Sequence, residues 1–282
     1  HKLSVGQRVI VPFNIACGEC FFCQRGLTAA CDRSNRTPEK AQKAMGHSPA
    51  GMFGYSHMLG GYSGGQAEFV RVPVHSLHVL PKSVDDDSAV FVEPLAAAFQ
   101  VLKQVKFDAR QWVTVLGDGR LGLLVAQVLR NAGSPVRVIG KHPDKLALCE
   151  KWQIRSRPLS EIVPRHDQDV VVDCTGSASG IELSLQMVRP RGTVVLKSTV
   201  AQGKPLNLAP VVIDEITLVG NRCGPFREAI RLLSQKEVDV VSLIHRRMKI
   251  EQGVEAFELA GKPGVLKAVS YTHLTLPTNR EV

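Results

Sequence analysis

The stretch from Trp112 to Gly133 leaves this chain few folds to choose from. Trp112-Val113-Thr114-Val115-Leu116 is a short apolar run rich in β-branched residues, and it reads as a buried strand. Gly117-Asp118-Gly119-Arg120-Leu121-Gly122 follows directly. Leu121, Leu124, Val125, Val128 and Leu129 then recur at helical spacing until Asn131-Ala132-Gly133 ends the helix. Strand, glycine turn and helix in that order are the setting in which G-x-G-x-x-G holds a dinucleotide. Gly117 permits the tight turn, Gly119 lets the backbone approach a pyrophosphate, and Gly122 allows close helix–strand packing. The helix amino terminus faces the phosphate charge. Gly117, Gly119, Arg120, Leu121 and Gly122 are therefore candidate coenzyme residues. The bland alternative is a glycine bend in some other α/β domain.

Around this unit, strands and helices alternate. Val136–Ile139, Asp169–Cys174, Gly192–Lys197 and Ile216–Gly220 read as strands, with helices through Lys145–Leu148 and Ile181–Val188. The fold class expected is α/β, a Rossmann doubly wound parallel sheet with ligand at the carboxyl ends of its strands. Thr175 and Gly176, and Ser198 and Thr199 one strand further on, are coenzyme-lining candidates on that ground. A β-rich segment precedes the sheet, with strands over Gln7–Pro12 and Gln66–Val72 and a long glycine-rich loop from Met45 to Gly65. A helix begins near Val90, where Pro94 is tolerable only in the first turn. After Arg222 come a helix (Pro225–Leu233), a strand (Met248–Ile250), a helix (Val254–Ala260) and a strand (Val265–Val269).

Cys17-x2-Cys20-x2-Cys23-x7-Cys31 is the second informative feature. Four thiols this close cannot all form unstrained disulfides, but they can surround one tetrahedral Zn²⁺. Cys17, Cys20, Cys23 and Cys31 would leave no position for water or substrate, so such a site is structural. Cys149, Cys174 and Cys223 lie scattered in apolar contexts, and reduced thiols suit a cytoplasmic location.

Composition excludes little else. A formal charge of +9 invites nucleic acid, but the basic residues are dispersed and only 5% of residues are aromatic, so no nucleic-acid partner is expected. No apolar run approaches a membrane span, and no membrane partner is expected.

The cysteine lobe, Glu93-Pro94-Leu95-Ala96 and the glycine turn, in that order, resemble the zinc-dependent medium-chain alcohol and polyol dehydrogenases from about residue 3 to 269. The resemblance implies a GroES-like catalytic domain (1–94), a Rossmann domain (95–221), a return to the catalytic domain (222–269), and a homodimer or homotetramer. It also implies NAD(P)-dependent hydride transfer on an alcohol or aldehyde, with a catalytic zinc acting as Lewis acid. Glu93 matches the place where polyol-type members set a carboxylate at that zinc. Its alternative is a first-turn glutamate facing the helix dipole. The family's other catalytic-zinc ligands precede the cysteine lobe, so the chain is expected to be an N-terminally truncated form, binding one zinc tightly and oxidising alcohol poorly. His47 and His57 read as polar loop residues.

The second strand ends Ile139-Gly140-Lys141-His142, without the acid that usually holds the NAD ribose. Gly140 and Lys141 are coenzyme candidates, and NADP is favoured over NAD. Residues 270–282 resemble translated adapter read-through and are expected to be unpacked. Cys17–Val72 is similar to formaldehyde-dehydrogenase-like members, and the part from Ser76 onward to another branch. Two other functions remain open: a zinc-ribbon nucleic-acid-binding protein, and a zinc-free quinone or enoyl reductase of the same superfamily.

Overall fold

A computed structural model describes residues 3–12, 14–32, 51–52, 69–108, 110–199 and 205–272. Its centre is a six-stranded parallel sheet made of β5 (Val113–Leu116), β6 (Val136–Gly140), β7 (Arg155–Pro158), β8 (Gln168–Asp173), β9 (Val188–Leu196) and β10 (Thr217–Gly220). The strand order is β10-β9-β8-β5-β6-β7, two halves running outward from β5 and β8. This is the doubly wound order, and it reverses between β5 and β8.

Helices cover both faces, which is why β5 reads as an unbroken apolar run. On one face lie α3 (Val92–Gln104), α4 (Arg120–Asn131), α5 (Pro143–Lys151) and α8 (Phe226–Ser234). Val113, Val115, Val138, Val170 and Val172 meet Leu123, Leu124 and Leu129 there in the main core. Each fully buried Val or Leu contributes about 1.5–3 kcal/mol of hydrophobic stabilisation. On the other face, Leu116, Ile139, Val171 and Val194 pack against Leu185 and Met187 at the end of α6 (Ala178–Met187), with Val211 of α7 (Ala209–Ile213) beside them. Right-handed crossovers put the connections of the two half-sheets on opposite faces.

The β-rich part contributes short ladders. β1 (Val9–Ile10) pairs with β4 (His78–Val79), and β2 (Asn14–Ile15) with β3 (Gly51–Met52), both antiparallel. Gly51–Met52 is thus a strand inside the stretch read as a continuous loop. Phe69–Val72, read as part of a strand, carries none, and Phe69 is 89% exposed. Its β-branched residues have no partner strand among the described residues, and propensity alone does not make a strand. Gln66, Ala67, Glu68, His47 and His57 lie outside the described residues.

The block after Arg222 divides. Ala229, Leu232 and Leu233 of α8 enter the main core, the same cluster that holds Leu80, Val84 and Ala89 from the β-rich part. β11 (Arg246–Lys249) and β12 (Ala268–Tyr271) form a parallel pair preceded and followed by loops around α9 (Gly253–Ala260). Arg247 clasps Asp87 of α2 (Asp86–Ala89) in a forked ion pair, and the Tyr271 hydroxyl donates to the same carboxylate at 2.5 Å. Ser270 and Tyr271, expected to be unpacked, therefore belong to a paired strand. Residues 273–282 lie outside the described residues.

Candidate coenzyme crevice and metal lobe

The crevice opens where the strand order reverses, at the carboxyl ends of β5 and β8. Gly117 has φ +113°, and a Cβ there would meet the Cys174 carbonyl at 3.0 Å. Gly122 is held tighter, since its Cβ would stand 2.0 Å from the Gly117 carbonyl oxygen. Only glycine lets the first turn of α4 lie this close to β5 and β8. Gly119, by contrast, has nothing within 4 Å of a built Cβ. It caps α4 without a side-chain hydrogen bond, and no acid stands in the first turn. The amide groups and the positive end of the helix dipole are left for an anion.

A cleft of about 440 Å³ continues from this turn over Gly140, Lys141, His142 and Lys145 on one side and Thr175, Ser177 and Gly180 on the other. Thr175 is held by Asp173, whose Oδ1 accepts from the Thr175 amide at 3.0 Å and its hydroxyl at 2.7 Å. Burial pushes the Asp173 carboxyl up, against the pull of those two bonds. Burial pushes the Cys174 thiol far up, which makes it an inert neighbour of the turn.

Asp118 was not among the sequence candidates, yet it fills this cleft's floor. Its Oδ2 accepts from the amides of Lys141 (2.8 Å) and His142 (2.6 Å), and the His142 Nδ1 lies 3.0 Å from Oδ1. Burial alone would raise this carboxyl; the His142 side chain and the two amides outweigh it and hold it below the usual range. The sequence expectation of NADP rests on reading no carboxylate that stands at the end of the second strand. One does, delivered from the neighbouring turn. The signal available was the Asp between the glycines, but its reach across to β6 is a tertiary fact.

Other candidates divide. Gly117, Gly119, Gly140, Lys141 and Thr175 line the cleft. Gly176 (φ +70°) forms the bend after β8, Leu121 packs on the main core, and Ser198 and Thr199 follow β9 beyond this lining. Arg120 points away from the cleft, donating to the Leu266 carbonyl at 3.3 Å.

Glu93, at the start of α3, lines a separate cleft of about 430 Å³ with His75, His78, Cys223 and Arg227. Its side chain is exposed to solvent. Burial raises its carboxyl, opposed by the charges of Arg120, Lys267 and Lys197. Lys197, hydrogen-bonded to Asn221, and Lys267 are each brought down to about 8 by burial. Neither lysine was singled out from sequence, since each reads as a charge flanking a strand. Glu93 belongs to no three-ligand group among the described residues. Its carboxylate is a single potential donor to a metal there.

The cysteine lobe does meet a metal's needs. Among the described residues, the Sγ atoms of Cys17, Cys20, Cys23 and Cys31 are the only such group, all within 4.8 Å of one another. That spacing suits a tetrahedron of Zn–S bonds of about 2.3 Å. Positive-φ Gly18 and Gly26 turn the chain around α1 (Phe21–Gln24), and the Cys17 amide donates to the Cys31 sulfur at 3.4 Å. Backbone amides of Cys23 and Asp32 lower the Cys20 thiol to about 6, whereas burial raises Cys23 to about 12. Four sulfurs converge there, and a Zn²⁺ held by all four is closed to substrate.

Two family descriptions match: the alcohol dehydrogenase GroES-like domain over residues 1–82 and the zinc-binding dehydrogenase domain over residues 121–235. The chain belongs to the zinc-dependent medium-chain dehydrogenases. It is an oxidoreductase of the class acting on CH–OH groups with zinc and NAD(P). An uncharacterized zinc-type alcohol dehydrogenase-like protein of Bacillus subtilis is 42% identical over 68% of this chain and 58% of its own length. The sorbitol dehydrogenase of Halalkalibacterium halodurans is 26% identical over 90% of the chain and 73% of that protein. The alcohol dehydrogenase of a Thermus species superposes with a TM-score of 0.79 at 25% identity, covering 96% of this chain and 79% of that one. Among the described residues of this dehydrogenase, no helix is long and apolar enough to cross a membrane.

Proposed function

We propose that this dehydrogenase transfers hydride between the carbinol carbon of a polyol or simple alcohol, or the matching aldehyde or ketone, and a nicotinamide coenzyme seated between β5 and β8. The observation that carries this reading is the bare amino end of α4. It faces open space at Gly119, at the point where the strand order reverses. The likeness to a sorbitol dehydrogenase supports a polyol as substrate. Bound there, the nicotinamide supplies the hydride acceptor. The chain's own residues orient it: the glycine turn and α4 amides hold the pyrophosphate, and Thr175 with Ser177 border the β8 side. Glu93 is the chain's described contribution to a catalytic zinc, and Cys17, Cys20, Cys23 and Cys31 hold a structural one. The outer edge of β10 has no partner strand among the described residues, and Val212 and Ile213 on the preceding α7 are 79% and 77% exposed, which supports a homodimer or homotetramer. Reduced thiolates in the lobe suit a cytoplasmic protein.

The test is a titration of the purified chain with NADH and NADPH, followed by quenching of Trp112 and Trp152 emission, then alcohol oxidation with sorbitol and ethanol. Saturable docking of a reduced coenzyme is expected. Glu93→Gln is expected to leave that docking unchanged and to lower alcohol oxidation. Failure of both coenzymes to dock refutes the crevice assignment; unchanged oxidation in Glu93→Gln refutes the role of that carboxylate.

A further inference from the structure

At the end of β6, dinucleotide folds of this topology commonly place an acid that reads the adenosine ribose. Here Gly140 holds that position, and the space a side chain would take is already filled. A Cβ on Gly140 would stand 2.4 Å from Asp118 Oδ2 and 2.5 Å from the Asp118 Cβ and Cγ. The carboxylate reaches the same spot from the glycine turn, and it is 5% exposed. Gly140 and Asp118 are two halves of one arrangement, since an acid at either position excludes a side chain at the other.

We propose that Asp118 is a specificity-determining residue of the coenzyme site, its carboxylate accepting the 2′-hydroxyl of the adenosine ribose and selecting NAD over NADP. This rests on the coenzyme reading given above. Three features of the surroundings favour the diol. The carboxylate puts negative charge where a 2′-phosphate would sit. Its Oδ2 already occupies the Lys141 and His142 amides, the backbone donors that a phosphate at this turn would need. Lys145, only 6% exposed, lines the same cleft, and its side chain makes no hydrogen bond or ion pair among the described residues, so its ammonium can donate to a ribose oxygen. The His142 ring fixes the plane of the carboxylate, and Oδ1, which faces that ring alone, keeps a further lone pair to accept with.

The experiment is calorimetric titration of the full chain with ADP-ribose and with 2′-phospho-ADP-ribose, which needs no turnover. The wild-type protein is expected to bind ADP-ribose more tightly by roughly tenfold or more, the worth of one hydrogen bond to a charged group. Asp118→Asn retains an acceptor for the amides but loses the charge, and it is expected to shrink that ratio towards unity. Circular dichroism melts accompany the variant; if it fails to fold, the wild-type ratio still decides. Tighter wild-type binding of the 2′-phosphorylated ligand, or a ratio that a folded Asp118→Asn leaves unchanged, overturns the proposal while the coenzyme reading stands. Binding of neither ligand overturns both.

Discussion

Two alanine substitutions three residues apart separate what the glycine turn does for folding from what it does for the coenzyme. At Gly122 a Cβ would sit 2.0 Å from the Gly117 carbonyl oxygen, where ordinary contact begins at 3.4 Å. The obstacle is backbone, so the amino end of α4 must retreat by about 1.4 Å from β5. Overpacking of this kind costs about 1–3 kcal/mol. For a chain of this size each kcal/mol lowers the melting temperature by about 2–4 °C. The displaced amides also lose their aim, and misplacement on the order of 1 Å weakens the site by roughly tenfold or more. Gly119→Ala differs. Nothing lies within 4 Å, and the backbone (φ −73°, ψ 170°) suits any residue, so stability falls by less than about 1 kcal/mol. The added methyl group nevertheless occupies the space in front of the helix amides. Thermal melts and coenzyme titration on both variants make the test: Gly122→Ala loses stability and affinity together, whereas Gly119→Ala loses affinity alone. Wild-type affinity in Gly119→Ala would show that no pyrophosphate approaches there.

Further outcomes follow from the lobe and from a half-buried acid. Cys31→Ser, replacing the fully buried sulfur of the lobe, is expected to reduce tightly held zinc from one ion per chain to none and to expose residues 17–31 to protease. Metal analysis after dialysis checks it, and undiminished zinc refutes the four-sulfur site. Asp239 accepts from Trp152 Nε1 and Lys151 Nζ, both at 3.0 Å, and from the Ser242 hydroxyl at 2.7 Å. Burial opposes ionisation, but these donors win and bring its carboxyl down to about 2. A depressed carboxyl stabilises the fold above its unfolded value of 3.8 and stops doing so as pH falls towards 2. Asp239→Asn should therefore cost about 1–2 kcal/mol at neutral pH after solvent screening. In urea unfolding the gap between variant and wild type should narrow from pH 5 to pH 3; a constant gap refutes the linkage.

Local chemistry accounts for most of what was legible before any coordinates. β5, α4, β6, β8 and α6 were placed within a few residues, because each carries a strong apolar period bounded by glycine or by a capping residue such as Ser177, which accepts from the Gly180 amide. The edge strand β7 went unread: Arg155-Ser156-Arg157-Pro158 has no apolar alternation, and its pairing with β6 supplies the order that its side chains do not. Phe69–Val72 erred the other way, with strand-like residues and no partner.

Spacing along the chain was enough for the phosphate-facing turn, because Gly117, Gly119 and Gly122 act on backbone within one helical turn. It was enough for the sulfur cluster too, since fifteen residues hold all four ligands. Contacts between distant strands were decided only on folding. Asp118 lies more than twenty residues from His142, and nothing local announces that its carboxylate occupies the room left by Gly140. The gathering of the Arg120, Lys197 and Lys267 charges near Glu93 depends likewise on how α3, α4, β9 and the segment before β12 converge. Short-range sterics and periodicity are written residue by residue, whereas charge placement in a crevice depends on which strand ends the sheet sets side by side.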